Sequence, residues 1–230
     1  TVRSGRSRSG SSKKAIALVV LAICAAAYFS PSFIKSDNLK GSIKQAFSLL
    51  KKKKYTEAEN EFQKALKVSK ENPEIFFGLG KVQLGRENYD QALNHFKRSV
   101  ELNPSIGSYQ MCLAKTLSLK GHMDEAKAAF LSLIKTDPKN YEGYYGLGAL
   151  EAKLGNLGVA IENYERSIEL KPDYFEALRG VGRLLSQKGE KEQALKVLIR
   201  AVEINDDDPI THLTLGELLL DLNRESEAIK

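Results

Sequence analysis

Residues 73–106 read PEIFFGLGKVQLGRENYDQALNHFKRSVELNPSI, and this stretch decides the fold. It reads as two helices. The first covers about its second to fourteenth positions, a tight turn follows around Gly85, and the second helix carries Ala92 and Phe96 until Pro104 stops it. Ala92 and Phe96 are four residues apart and share one helical face.

Working outward, the same pattern returns every 34 residues in both directions, which makes the repeat the first thing to establish. Ala58, Ala92, Ala126, Ala160, Ala194 and Ala228 fall at that interval, and Phe62, Phe96, Phe130, Tyr164 and Leu198 follow four positions later. Leu79-Gly80, Leu147-Gly148 and Leu215-Gly216 recur at another phase, with Leu113-Ala114 and Val181-Gly182 as variants. Pro104, Pro138 and Pro172 recur at a third, and the turns are expected at or near Gly85, Gly121, Gly155 and Gly189. The repeats start at Leu39, Pro73, Gly107, Tyr141, Phe175 and Pro209 without an insertion. Small residues at position 8 of the first helix and position 20 of the second let two antiparallel backbones approach, and the large residues fill the remaining space. One pair cannot bury its apolar stripe alone, so pairs stack on their neighbours, and the array curls into a superhelix with a concave side.

These residues resemble the tetratricopeptide repeat family, whose pattern runs large residue, Leu-Gly, large residue, then Ala, aromatic, Ala and Pro. Residues 73–106 match best, with Phe76, Leu79, Gly80, Tyr89, Ala92, Phe96 and Pro104 in place. The repeat from Leu39 departs most, with Ser42, Gln45 and Ala46 where Phe, Leu and Gly would stand, as expected of an end repeat. The resemblance covers residues 39–230 and implies an all-α, right-handed superhelical solenoid of antiparallel helix pairs. It also implies a groove lined by positions 2, 5, 9 and 12 of the first helices. The residues singled out there are Phe77, Lys81, Met111, Lys115, Tyr145, Arg179, Arg183 and Leu213. Cations between apolar anchors suit an extended peptide or a partner helix that carries acids and a few large side chains. Charge reversal at Arg179 and Arg183 is expected to weaken partner capture and leave melting unchanged. The Lys and Asn clamp with which some relatives hold chaperone tails is not present, because position 9 is Phe47, Lys81, Lys115, Ala149, Arg183 or Glu217.

The amino-terminal part is of another kind. Residues 1–14 form a basic, Ser- and Arg-rich tail, expected to be disordered, and residues 15–34 contain no charge. The first fifteen, Ala15 to Phe29, are apolar throughout, and a helix of twenty residues spans about 30 Å, the hydrocarbon thickness of a bilayer. Residues 15–34 are therefore expected to be a transmembrane helix, with Tyr28, Phe29 and Phe33 near one interface and residues 35–38 as a linker. Other readings stay open. A basic stretch, an apolar run and small residues at Ala25 and Ala27 also describe a secretory signal, the lack of acids before Asp37 suits an organelle-targeting tail, and a buried soluble helix is the plainest alternative. Pro31 between Ser30 and Ser32 weakens the far end of the span. Lysines and arginines flank both sides, so orientation stays undecided. The start at Thr1 and the end at Lys230, inside an unfinished helix, are expected of a fragment or a processed form.

Composition narrows the function. The hydrophobic content of 42% excludes disorder throughout. Net charge is +6, yet residues 1–38 hold six basic residues against Asp37, which leaves 29 basic and 28 acidic residues in the rest. Near neutrality of the repeats argues against nucleic acid, which needs clustered cations. The run from Lys51 to Lys54 reads as a solvated helix end. Cys24 and Cys112 define no disulfide framework, and His95, His122 and His212 lack neighbours at metal-binding spacing. No glycine loop for phosphate, serine elbow or histidine-centred constellation is present, so no enzyme activity, cofactor or small-molecule substrate is expected. The sequence thus points to a membrane-tethered scaffold that binds other proteins for complex assembly or protein import. Two alternatives remain: a substrate-recruiting part of an enzyme whose catalytic domain lies after residue 230, and a nucleic-acid-binding helical repeat.

Overall fold

The structure, a computed structural model, describes residues 31–224. Eleven α-helices and no strand occur among them: α1 Pro31–Lys51, α2 Tyr55–Val68, α3 Pro73–Gly85, α4 Tyr89–Leu102, α5 Gly107–Lys120, α6 Met123–Thr136, α7 Tyr141–Lys153, α8 Leu157–Leu170, α9 Phe175–Gln187, α10 Lys191–Ile204 and α11 Pro209–Asp221. Five helices begin at the expected repeat starts, Pro73, Gly107, Tyr141, Phe175 and Pro209. The sixth start, Leu39, lies inside α1, which begins at Pro31. A proline is at home in a first helical turn because its missing N–H would have had no partner there. Residues 35–38, expected as linker, are part of that helix. No helix among the described residues is long and apolar enough to cross a membrane. The span expected at 15–34 falls, up to residue 30, outside the described residues.

Capping explains where helices start. Asn72 and Asn140 accept hydrogen bonds from the backbone N–H groups of Glu74 and Gly143, each at 2.9 Å, and Asp208 accepts from Thr211 N at 2.8 Å. Turns within pairs follow one rule: the residue at position 15 adopts a left-handed conformation, and the next N–H reaches back to the carbonyl at position 11. Examples are His122 N to Leu117 O at 3.0 Å and Asn156 N to Glu151 O at 2.9 Å. Glycine holds this position at Gly121, Gly155 and Gly189, whereas Lys53, Glu87 and Asn223 hold it in the other turns with φ of 58°, 63° and 58°. The turn expected at or near Gly85 follows it directly, with Glu87 as its left-handed residue. Gly85 is the last residue of α3, and a Cβ there would stand 2.4 Å from the Tyr55 ring, so its role is to admit that ring.

Two compact bodies divide the chain, one ending at Arg86 and the other starting at Glu87. In the first, α1, α2 and α3 enclose Ile43, Ala46, Ala58, Phe62, Ile75, Leu79 and Val82. In the second, α4 to α11 pack each on its sequence neighbours around two apolar clusters, one centred on Phe130 and Leu147, the other on Tyr164, Val181 and Leu198. The alanine column is buried as its phase demands: Ala58, Ala92, Ala126, Ala160 and Ala194 are all 0 % exposed.

A second small-residue column, at position 6, decides how one pair meets the next. A Cβ on Gly78 would lie 2.1 Å from the Phe62 ring, one on Gly146 2.3 Å from Phe130, and one on Gly180 2.8 Å from Tyr164. Each ring belongs to the second helix of the preceding repeat. Position 8 works within the repeat, where a Cβ on Gly148 would meet Tyr164 at 2.8 Å and one on Gly182 would meet Leu198 at 2.6 Å. Tyr164 is thus gripped from two sides, which couples its pair to the next.

Candidate functional site: clefts along the first helices

In the second body the first helices α5, α7, α9 and α11 carry the expected groove positions, and the structure opens two clefts among them. One, of about 310 Å³, is walled by Tyr145, Glu176, Arg179, Arg183 and Ile210 and floored by Tyr164 beneath Gly180. The other, of about 430 Å³, is walled by Lys115, Leu119, Tyr145, Ala149 and Lys153 and floored by Phe130 beneath Gly146. Tyr145 stands in both. The clefts exist because position 6 is glycine: with no side chain above it, the ring of the previous repeat is left within reach.

Aromatic packing holds Tyr145 in place. Its ring lies 5.5 Å from Tyr164 and 5.2 Å edge-on from Tyr174, which in turn meets Tyr141 edge-on at 4.9 Å. Lys171 places its Nζ 4.8 Å over Tyr141 and 5.3 Å over Tyr174. Burial pushes the Tyr164 phenol up to about 12 and raises those of Tyr145 and Tyr174, while Arg179 and Arg183 pull Tyr145 and Tyr164 the other way. All three phenols stay neutral hydrogen-bonding groups at physiological pH.

The eight residues read from the sequence divide. Tyr145, Arg179 and Arg183 share the first cleft, and Lys115 and Tyr145 share the second. Phe77 and Lys81 lie on α3 in the other body, where the Lys81 ammonium sits 5.3 Å over the Phe77 ring. Leu213 on α11 is 63% exposed and lines neither cleft. Met111 is corrected from an open anchor to a core residue: it is 7% exposed and packs in the cluster with Leu93, Ala114 and Leu117.

Arg179 requires a second correction. Its Nη1 donates to Asp208 Oδ1 at 2.9 Å, and Asp208 caps α11 through Thr211. The hydrogen bonds from Thr211, then that from Arg179, hold the Asp208 carboxyl below its usual range. Reversing the charge at Arg179 would put two carboxylates together at a helix start, so it cannot leave melting unchanged as the sequence suggested. Arg183 and Lys115 are exposed and make no ion pair among the described residues, so they are the cations that remain for a partner.

Several cleft residues were not anticipated. Tyr164 and Phe130 were read as core alone, and the signal that would have found them as floors is the glycine column Gly78, Gly146 and Gly180, which shares one phase of the 34-residue period with Cys112 between the first two. Outside the clefts, Glu151 was not anticipated either: 1% exposed on α7, it has Lys127 Nζ at 2.7 Å and accepts from Asn156 Nδ2 at 2.7 Å. The adjacent Lys127 ammonium, as the largest cause, and the Asn156 hydrogen bond hold its carboxyl below the ordinary value. Among the described residues no three His, Cys, Asp or Glu side chains converge as a metal site would require.

Stacked helix pairs with amphipathic clefts along their first helices define a helical-repeat module of the kind that binds other proteins or peptides. The chain belongs to the tetratricopeptide repeat family: one profile of that description matches residues 49–115 and 151–213, and a second matches residues 113–175. No curated protein matches the sequence. Among solved structures it is similar to PilF of Pseudomonas aeruginosa, with a TM-score of 0.78 and 14% identity over 85% of this chain and 89% of that one. It is similar also to MamA, with a TM-score of 0.64 and 24% identity over 70% and 94% of the two chains. A third is YrrB, described as having an unusual peptide-binding site, with a TM-score of 0.61 and 21% identity over 74% and 88%.

Proposed function

We propose that this protein is an interaction scaffold whose first-helix clefts hold an extended peptide or helix bearing carboxylates and large apolar side chains. The observation that carries this reading is the pair of clefts sharing Tyr145, each with an aromatic floor and an unpaired cation at its wall, Arg183 in one and Lys115 in the other. An apolar side chain of the partner would seat on Phe130 or Tyr164, and its carboxylates would reach Arg183 and Lys115 at charge-assisted hydrogen-bond distance. The peptide-binding site attributed to YrrB, a structure of similar fold, supports a peptide as the kind of partner. Residues 15–34 tether the scaffold to a membrane, which raises the effective concentration of partners gathered there for complex assembly or import. The chain itself carries out no reaction in this reading.

The test is selection from a random peptide library on wild-type protein and on Lys115→Glu/Arg183→Glu. Wild type should enrich peptides in which Asp or Glu flank an aromatic or large aliphatic residue, and the double variant should lose them while keeping its melting temperature. Enrichment without acids, or equal capture by the variant, refutes the reading. Alkaline carbonate extraction of the full chain expressed in cells addresses the tether, which requires the protein to stay with the membrane pellet.

A further inference from the structure

The start of the repeat array differs from every later repeat at the positions that stack. Position 6, a glycine gripping an aromatic ring at Gly78, Gly146 and Gly180, is Lys44 in α1, and position 10, buried at Val82, Leu150 and Leu184, is Ser48. Both are exposed. The face that elsewhere receives a preceding helix pair is therefore polar here and cannot take one without burying a lysine.

That face is also strongly cationic. Lys40, Lys44 and Lys51 recur at spacings of four and seven along α1 and form one stripe, and Lys52 and Lys53 continue it into the following turn. All five are exposed, and none makes an ion pair among the described residues, whereas Lys54 is paired with Glu57 at 3.0 Å. Asp37 stands three residues before Lys40, from Asn38 to Tyr55 the chain holds no further acid, and Glu74 lines a cleft with Lys40 and Lys44. Ile43 and Phe47 lie beside this stripe and, with Ala46, pack into the core of the first body. So α1 carries a row of exposed ammonium groups along the border of its core-facing side.

We infer that this lysine face of α1 and its turn docks on an anionic membrane surface, such as a leaflet rich in phosphatidylserine. The inference rests on the proposed tether, because what selects a lipid surface over other polyanions is continuity: the uncharged run 15–34 leads directly into α1 at Pro31. A cluster of lysines beside a membrane-inserted segment gains about 1 kcal/mol from each cation close to the headgroups, and it loses that gain in salt. Docking there would lay the first repeat against the bilayer.

The experiment uses the full chain reconstituted into vesicles of phosphatidylcholine alone or mixed with phosphatidylserine. Trypsin cleavage at Lys51–Lys54 is followed beside carbonate extraction, with detergent-opened vesicles defining total accessible protein. Cleavage should be slowed in the phosphatidylserine vesicles only, and high salt or Lys40→Gln/Lys44→Gln should restore it. The double variant is expected to bind the anionic surface roughly thirty-fold more weakly, the equivalent of two lysines. Carbonate-resistant protein that is cut equally fast in both lipids overturns the docking and keeps the tether. Protein stripped by carbonate that still sediments with phosphatidylserine vesicles at low salt loses the tether and keeps the lysine surface, and protein that does neither loses both. Protection by soluble polyglutamate but not by phosphatidylserine would assign the face to an acidic protein and overturn the lipid assignment.

Discussion

Replacing Lys127 by leucine removes the ammonium that stands 2.7 Å from Glu151 Oε1, a carboxylate only 1% exposed between α6 and α7. Breaking a buried ion pair from one side typically costs 3–5 kcal/mol, because the remaining charge has no partner and no water. Here Lys127 is 45% exposed and Asn156 still donates to Oε2 at 2.7 Å, so a loss below that range, about 2 kcal/mol, is expected. The sequence itself supplies the control. Lys127 and Glu151 occupy positions 21 and 11 of successive repeats, and the same two positions hold Leu93 and Leu117 one repeat earlier, both buried in one apolar cluster. The double variant Lys127→Leu/Glu151→Leu reproduces that pairing and should lie within about 1 kcal/mol of wild type, or above it. Urea unfolding of the four proteins, followed by circular dichroism, closes the cycle with an expected coupling of about 2 kcal/mol or more. A single Lys127→Leu costing under about 0.5 kcal/mol, or a double variant no better than the single, would refute the reasoning. Acid adds a second readout. The folded Glu151 carboxyl titrates below its ordinary value of 4.5, so its contribution is present above the unfolded pKa and is lost as pH falls through the folded one. Wild type should show that loss on the acid side, and the double variant should not.

Other substitutions test the remaining parts of the argument. Glu87→Gly and Lys53→Gly relieve left-handed conformations that glycine adopts in three sister turns, and each should raise the urea midpoint by an amount equivalent to about 0.5–1 kcal/mol. Gly146→Ala places a methyl 2.3 Å from the Phe130 ring and should destabilise by about 1–3 kcal/mol while shrinking the cleft it opens, measured by unfolding and by loss of selected peptides. Arg179→Glu should lower the melting temperature by disturbing the Asp208 cap, whereas Arg183→Glu should leave it in place.

Much of the fold was readable because a solenoid is local. Helix, turn and stacking partner all lie within about one period of each other, so Ala58 through Ala194 and the ring four residues on report the packing directly. The site was harder. Tyr145, Lys115 and Arg183 stand where the resemblance placed them, but Met111 at an equivalent position is buried, and Arg179 is engaged by Asp208. Periodicity treats positions as equal, while burial and pairing depend on the particular side chains of each neighbouring repeat.

The sequence alone determined the 34-residue period, the helix starts at Pro73, Gly107, Tyr141, Phe175 and Pro209, and the near neutrality of the array. Small residues and turn formers at fixed spacing act through contacts that any chain with that spacing must make. Tertiary structure decided which glycines grip a ring and open a cleft, which cations are free and which acid is buried. Those outcomes depend on distances of a few ångströms between residues on different helices, and residue type and phase do not specify them.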